Sequence, residues 1–294
     1  MPTTRKKDGE PAPRVGWEQV RAWRVHRHHL HERAPGAAML DVVADLAGLH
    51  AQVMSSAELT LWARVEDLDP KAVQRALWEE RSLVKTWAMR GTLHLLPAAE
   101  YPLWQAGLST YRHYLRSSWL RYFGLTREEL EQLMAAVARA LDGRTLTREE
   151  LAGEVGRLTG SAEPGGKLAD SFGTTLKPAS FRGHLCFAPS QGQRVRFARP
   201  DQWLGLERED DPDAAMLEIT RRFLAASGPV TREDYARWWG MTPATAQKLL
   251  VRLRLQIEPF VELPDRVRRA AEEEAERLAA YLGGRLKLDW APPP

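Results

Sequence analysis

One short phrase, written three times, constrains this chain more than any bulk property. "LTREELEQLM" begins at Leu125, "LTREELAGEV" at Leu146 and "VTREDYARWW" at Val230. In each, a threonine is followed three residues later by Glu or Asp, and then by apolar residues at helical spacing. This is the pattern of a capping box. The hydroxyl accepts from the backbone N–H three residues on, and the acid accepts from the threonine's own N–H, so two donors orphaned at a helix start are satisfied. Thr126 with Glu129 and Thr147 with Glu150 fit it; Thr231 with Asp234 is a shorter-armed, weaker version.

The phrase is common, and its order along the chain gives it meaning. The second copy follows a helix over 127–143 closed by Gly143, and itself opens another. A Gly-rich stretch and a helix over 167–180 come next. "GHLCFAPSQGQRVRFARP" then supplies two strands around a "SQGQ" turn, with basic and apolar residues alternating in "RVRFAR". Three helices followed by a two-stranded hairpin make a winged helix. The N-terminal part reads the same way. Helices are predicted over 16–34, 39–52 and 69–84, the last with Asp69 as N-cap and Pro70 at its first position. "KTWAMRGTLHLLP" adds strand, Gly91 turn and strand. The third copy lies within "DPDAAMLEITRRFLAASGPVTREDYARWWG", and a helix over 243–253 follows, capped by Thr242. After Arg254 the expected wing is nearly absent, and 255–264 leads into an amphipathic helix over 265–283. The fold class expected is mainly α with short β-hairpins, in tandem winged helix-turn-helix units. These run over 15–124, 125–204 and 205–294 after a polar basic tail, 1–14, the third lacking its wing.

A net charge of only +3 hides a segregated distribution. Between Glu80 and Glu128 the sole acid is Glu100, against seven Lys or Arg residues; between Asp170 and Asp201 there is none, against five. The acids gather in "LEREDDPD" and "EEEAE". Separated basic surface favours a polyanion partner over a protein-only role. No apolar run approaches the ~20 residues that span a bilayer, and no signal peptide is visible. Cys186 is alone, so neither an intramolecular disulfide nor a Cys-based metal site is expected, and a reducing, cytoplasmic setting follows.

The chain resembles a known family: the bacterial winged-helix proteins that include the AlkZ-like and YcaQ-like DNA glycosylases. The resemblance rests on "RVHRHHLHERA", "VVADLAGLHAQVMSSAELTLWARV", "WAMRGTLHLLP" and the C-terminal "IEPFVELPDRVRRAAEEEAERLAAYLGGRLKL". It implies tandem winged helices around double-stranded DNA, bound as a monomer without sequence preference. It also implies excision of alkylated purines, N7-adducted, bulky or crosslinked, without metal or cofactor. The family's catalytic motif, Gln, apolar residue, then Gln or Asp, falls on His50-Ala51-Gln52. Gln52 matches and His50 replaces the first Gln. The family's hairpin between the third helix-turn-helix and the last helix is missing, which keeps a second function open: a non-catalytic winged-helix DNA-binding protein.

Hydrolysis of an N-glycosidic bond passes through a cationic sugar, so the protein must hold a water near the anomeric carbon. A Gln carbonyl oxygen can accept from that water while its amide is held. A neutral His can accept too, and can serve as general base near its pKa. His50 and Gln52 are therefore the catalytic candidates, with a helix-end hydrogen-bonding role as the plainer alternative. Arg90, Thr92 and His94 alternate along one predicted strand face, which suits phosphate contact. Arg112 and Arg116, four apart on one predicted helix face, with Lys177, Arg182, Arg194 and Arg196, complete the DNA-binding set. Tyr111, Tyr114 and Trp119 suit core positions better than base stacking. "HRHHLH", 26–31, lacks the i, i+4 pattern of zinc enzymes and reads as a solvated, partly DNA-facing helix. Glu58 is a possible acid near the site, though a surface helix charge is the simpler account.

Overall fold

The computed structural model describes residues 16–160, 173–207, 209 and 211–254. Helices dominate, with two small antiparallel sheets. The first stretch carries α1 (Trp17–Arg27), α2 (Met39–Asp45), β1 (Leu49–His50), α3 (Met54–Trp62), α4 (Ala72–Trp78), β2 (Leu83–Trp87), β3 (Leu93–Pro97), α5 (Tyr101–Leu108) and α6 (Ser117–Tyr122). Then come α7 (Arg127–Ala140), β4 (Leu146–Thr147), α8 (Arg148–Thr159), α9 (Lys177–Phe181), β5 (Cys186–Gln191), β6 (Arg194–Ala198) and α10 (Pro200–Leu204). The last described elements are α11 (Pro212–Ser227), α12 (Arg232–Trp239) and α13 (Pro243–Arg254).

All three threonine phrases close as capping boxes. Thr126 Oγ1 accepts from the Glu129 amide at 3.1 Å and Thr147 Oγ1 from Glu150 at 3.2 Å. The aspartate version is as tight, with Thr231 Oγ1 accepting from Asp234 at 3.1 Å and the carboxylate accepting from the Thr231 amide at 3.0 Å. Thr242 also caps α13 as expected, its hydroxyl accepting from the Thr245 amide at 3.2 Å.

Other boundaries differ from the sequence reading. α1 stops at Arg27 rather than continuing to Ala34, because the chain turns at His29, whose φ is +53°. α4 begins at Ala72; Asp69 receives the Lys71 amide at 2.9 Å, forming a turn ahead of the helix. The expected helix over 39–52 is cut at Asp45, and its last part becomes strand β1. The antiparallel pairs β2–β3 and β5–β6 lie where hairpins were expected, but each sheet has a third strand. The orders are β1-β3-β2 and β4-β6-β5. The tail 1–14, the stretch 161–172, and the wingless end with its final helix over 265–283 fall outside the described residues.

Two cores hold these elements. One belongs to the N-terminal part: Val42, Val43, Leu49, Ala51, Leu61, Leu77, Leu83 and Leu95 are buried together. The other is continuous from Trp87 and Trp104 through Tyr114, Leu130, Phe181 and Phe197 to Ile219 and Trp239, so it draws on all three sequence stretches. α5 crosses α11 closely at Gly107, where a Cβ would collide with Ile219 Cδ1. Burial of this much apolar surface fixes the position of the first sheet against its neighbours.

Candidate functional site

The motif around Ala51 is presented by a sharp reversal after α2. Ala47 and Gly48 both take positive φ, +54° and +92°, and a Cβ on Gly48 would come within 2.8 Å of Leu96 Cδ2. The reversal lays Leu49 and His50 along β3, in register with Leu95 and His94. The Ala51 amide then donates to the Leu93 carbonyl at 2.8 Å. Since side chains alternate along extended chain, Leu49 and Ala51 are buried in the N-terminal core while His50 and Gln52 are exposed on the other side. α3 starts two residues later.

Gln52 is held the opposite way from the sequence expectation. Its Oε1 accepts from the Leu93 amide, at 3.5 Å the outer limit of a hydrogen bond. A carbonyl oxygen has a second lone pair, so the same atom can also accept from water. The ring of His50 meets that of His94 edge to face, with centroids 5.5 Å apart and planes at 84°.

His94 does not stand on an exposed strand face but inside the sheet. It is 5% exposed, and burial pushes its pKa down from 6.5 to about 4, with smaller contributions from His50 and Arg90 opposed by the Thr92 carbonyl. Its Nδ1 lies 3.0 Å from the Thr92 carbonyl oxygen, so that nitrogen carries the proton of a neutral ring. Nor do Arg90, Thr92 and His94 share a strand face. The chain reverses over Met89–Gly91, with Arg90 at φ +57°, and β3 begins only at Leu93. Thr92 Oγ1 donates to the Met89 carbonyl at 3.0 Å, inside the turn. Arg90 Nη1 reaches the carbonyls of Arg237 and Trp238 at 3.5 and 3.4 Å, at the C-terminal end of α12, where a cation is favoured by the exposed carbonyls.

The remaining basic residues separate into engaged and free. Arg112 and Arg116 do not share a helix face, because α5 ends at Leu108 and Arg116 precedes α6 as its N-cap. Arg112 Nη1 donates to the carbonyls of Ser109 and Tyr111. Arg182 pairs with Glu131 at 2.9 Å and donates Nε to the Tyr114 hydroxyl at 3.1 Å. Arg196 Nε donates to the Pro189 carbonyl at 2.7 Å. Lys177, half-buried against the Gly91 turn, has its ammonium pKa lowered by that burial. Arg194 and Arg116 stand exposed, neither in a close ion pair among the described residues, although Arg194 is near enough to help lower the pKa of Glu150. Tyr111 and Tyr114 are core residues and Trp119 packs on them.

Two other candidates resolve into structural contacts. Glu58 accepts from Gln74 Nε2 at 2.7 Å. Of the histidines in the run only His26 lies in a helix, at the end of α1, and the run is half-buried rather than fully solvated. His28 Nε2 lies 3.0 Å from the Ala226 carbonyl and His29 Nε2 2.8 Å from Asp45 Oδ2, because α1 docks against the end of α11. Among the described residues no three His, Cys, Asp or Glu side chains come together as a metal site, and Cys186 is buried, its thiol pKa raised by that burial.

Comparison with known proteins places the chain in a family. Residues 43–281 match the family described as DNA glycosylase AlkZ-like. An interstrand DNA cross-link repair glycosylase of Streptomyces sahachiroi is 35% identical over 271 residues, 91% of this chain and 72% of that protein. The solved structure of the Streptomyces sahachiroi DNA glycosylase AlkZ matches with a TM-score of 0.75 at 34% identity, covering 82% of this chain and 66% of that one. This chain therefore spans slightly under two thirds of that structure. It belongs to the AlkZ-like DNA glycosylase family.

Proposed function

We propose that the chain is a monofunctional DNA-repair glycosylase. It hydrolyses the N-glycosidic bond of alkylated purines, including bulky or crosslinked N7 adducts, in duplex DNA. One observation carries the assignment of residues: His50 and Gln52 stand exposed on one side of β1 while Ala51 between them is buried and bonded to β3. In the reaction, the bond between the anomeric carbon and purine N9 breaks, and its electron pair leaves with the base. A cationic N7-alkylpurine departs neutral, which lowers the barrier without a metal. Water oxygen then bonds to the anomeric carbon and its proton passes to His50 or solvent. Gln52 orients that water through Oε1.

In this proposal the two sheets are the wings of winged-helix units over 15–124 and 125–204, with a third over 205–294. The protein binds as a monomer and without sequence preference, with exposed Arg116 and Arg194 as phosphate contacts and Arg90, Arg112 and Arg196 contributing unused guanidinium donors. Lys177 lies beside the Arg90 turn. Work in the cytoplasm suits this assignment; among the described residues no helix is long and apolar enough to cross a membrane.

A second function, kept open in the sequence by the missing hairpin, is also favoured by the histidine at position 50 in place of the usual Gln: a DNA-binding protein of the same fold without catalysis. Incubation with duplex containing 7-methylguanine decides between them. Free base in the supernatant supports the glycosylase. Binding with no release, repeated on a bulky N7 adduct, leaves the binding protein.

A further inference from the structure

The first sheet carries a row of polar side chains that the motif itself does not explain. Cross-strand partners project to the same face, and the register places His50, His94 and Thr86 side by side across β1, β3 and β2. The row changes character along its length. His50 is exposed, while His94 and Thr86 are 5% and 1% exposed. Thr86 Oγ1 is 2.9 Å from Ser180 Oγ on α9, also buried. A buried polar side chain costs stability unless it is bonded, and a polar row running inward from an exposed site calls for a reason.

We propose that His94 is the positioning residue of the site: its ring is a fixed wall against which the His50 imidazole is oriented toward the attacking water. Three observations carry this, and it rests on the assignment of His50 and Gln52 made above. The His94 ring is held chiefly by burial, at 5% exposure, while Nδ1 also donates to the Thr92 carbonyl, which the Ala88 amide holds at 2.9 Å to close the hairpin. The two rings are in edge-to-face contact, an arrangement favoured by the charge distribution of aromatic rings. Gln52 takes its own hold from the amide of Leu93, the residue next to His94, so both motif side chains are set by the same two positions of β3. Groups facing His94 from the neighbouring elements are His50 and Arg90, and neither is an acid.

The wall acts through its ring rather than through its hydrogen bond, since the Thr92 carbonyl keeps the Ala88 amide when Nδ1 is gone. That orders two variants. His94→Phe keeps the wall and loses the bond; His94→Asn can keep a donor to Thr92 and loses the wall. Single-turnover base release from an N7-methylguanine duplex should stay within about threefold of wild type for His94→Phe. It should fall tenfold or more for His94→Asn, toward the ~10²-fold cost of a misplaced reacting group. Duplex Kd should change less than twofold for both. The opposite order, or an equal loss in both, overturns the proposal. If His94→Asn does not fold, His94→Leu, which fills the space without a ring, takes its place.

A second measurement separates this inference from the enzyme assignment. NMR of the His50 ring protons should show shifts displaced from free histidine in wild type and His94→Phe, and near-free values in His94→Asn. Identical His50 shifts in all three proteins refute the wall, whether or not base is released. Displaced shifts with no base release from any duplex leave the wall standing and remove the glycosylase.

Discussion

The Arg182 guanidinium lies 2.9 Å from the Glu131 carboxylate, and this pair withdraws from the basic surface a residue that sequence alone would assign to DNA. Arg194, at the exposed end of β6, has no such partner among the described residues. The two arginines should therefore behave differently. Arg194→Ala should weaken duplex binding for every sequence alike and reduce the slope of log affinity against log salt by about 0.9. Arg182→Ala should leave that slope unchanged and cost stability of about 1 kcal/mol or less, as for other partly exposed pairs. Fluorescence titration from 50 to 200 mM salt reads both; a slope change with Arg182→Ala would return that residue to the interface.

Gln52→Ala should reduce base release by ~10²-fold or more, the usual cost of removing a preorganised polar group. Gln52 carries no charge to pair with phosphate, so duplex affinity should be almost unchanged. Single-turnover release and Kd on the same substrate check the split. Loss of affinity equal to the loss of rate would make Gln52 a binding residue instead.

His50→Gln restores the usual family motif and should keep or raise activity. Histidine side chains change charge between roughly pH 5 and 8 and glutamine does not. Base release by the variant should therefore depend less on pH over that range than base release by the wild type. Parallel profiles for the two proteins would remove position 50 from proton handling.

The depressed pKa of His94 makes a stability prediction independent of catalysis. The folded ring protonates only near pH 4 and the unfolded one near 6.5, so between these values the unfolded state binds more protons. Stability contributed by the neutral ring is complete above pH 6.5 and declines as pH falls toward about 4, by at most about 1.4 kcal/mol per pH unit. The difference in urea-unfolding free energy between wild type and His94→Phe should show this slope. His26, His28 and His113, also lowered by burial, cancel in that difference. A pH-independent difference would contradict the burial of His94.

α1 fastens the end of α11. Arg24 Nε donates to the Ser227 carbonyl at 2.8 Å and Arg27 Nε to Ala225 at 3.2 Å, each close to the negative end of the helix. Arg24→Ala and Arg27→Ala should each cost about 1 kcal/mol, measured by urea denaturation. Neither should change the base-release rate at a temperature where the protein stays folded. A rate loss without a stability loss would place this clasp in the site.

Features that depend on near neighbours were legible in the amino-acid chain. Thr126 with Glu129, Thr147 with Glu150 and Thr231 with Asp234 close bonds within one helical turn, so their spacing was enough to predict three helix starts. The β2–β3 and β5–β6 hairpins are local as well, joined by short turns with Gly91 and Gly192 at positive φ. The family motif located His50 and Gln52 by the same short range. Tertiary structure alone decided the rest. β1 was hidden inside an apparently helical stretch because its partner, β3, lies more than forty residues away, and pairing overrode the helical pattern. His94 alternates with Arg90 in the sequence just as a phosphate-facing strand would, yet the turn between them gives one to a helix end and buries the other against His50. A basic side chain's fate is set by which carbonyl or carboxylate folding brings within 3 Å, and Arg182 and Arg194 carry nothing in their own neighbourhoods to say so.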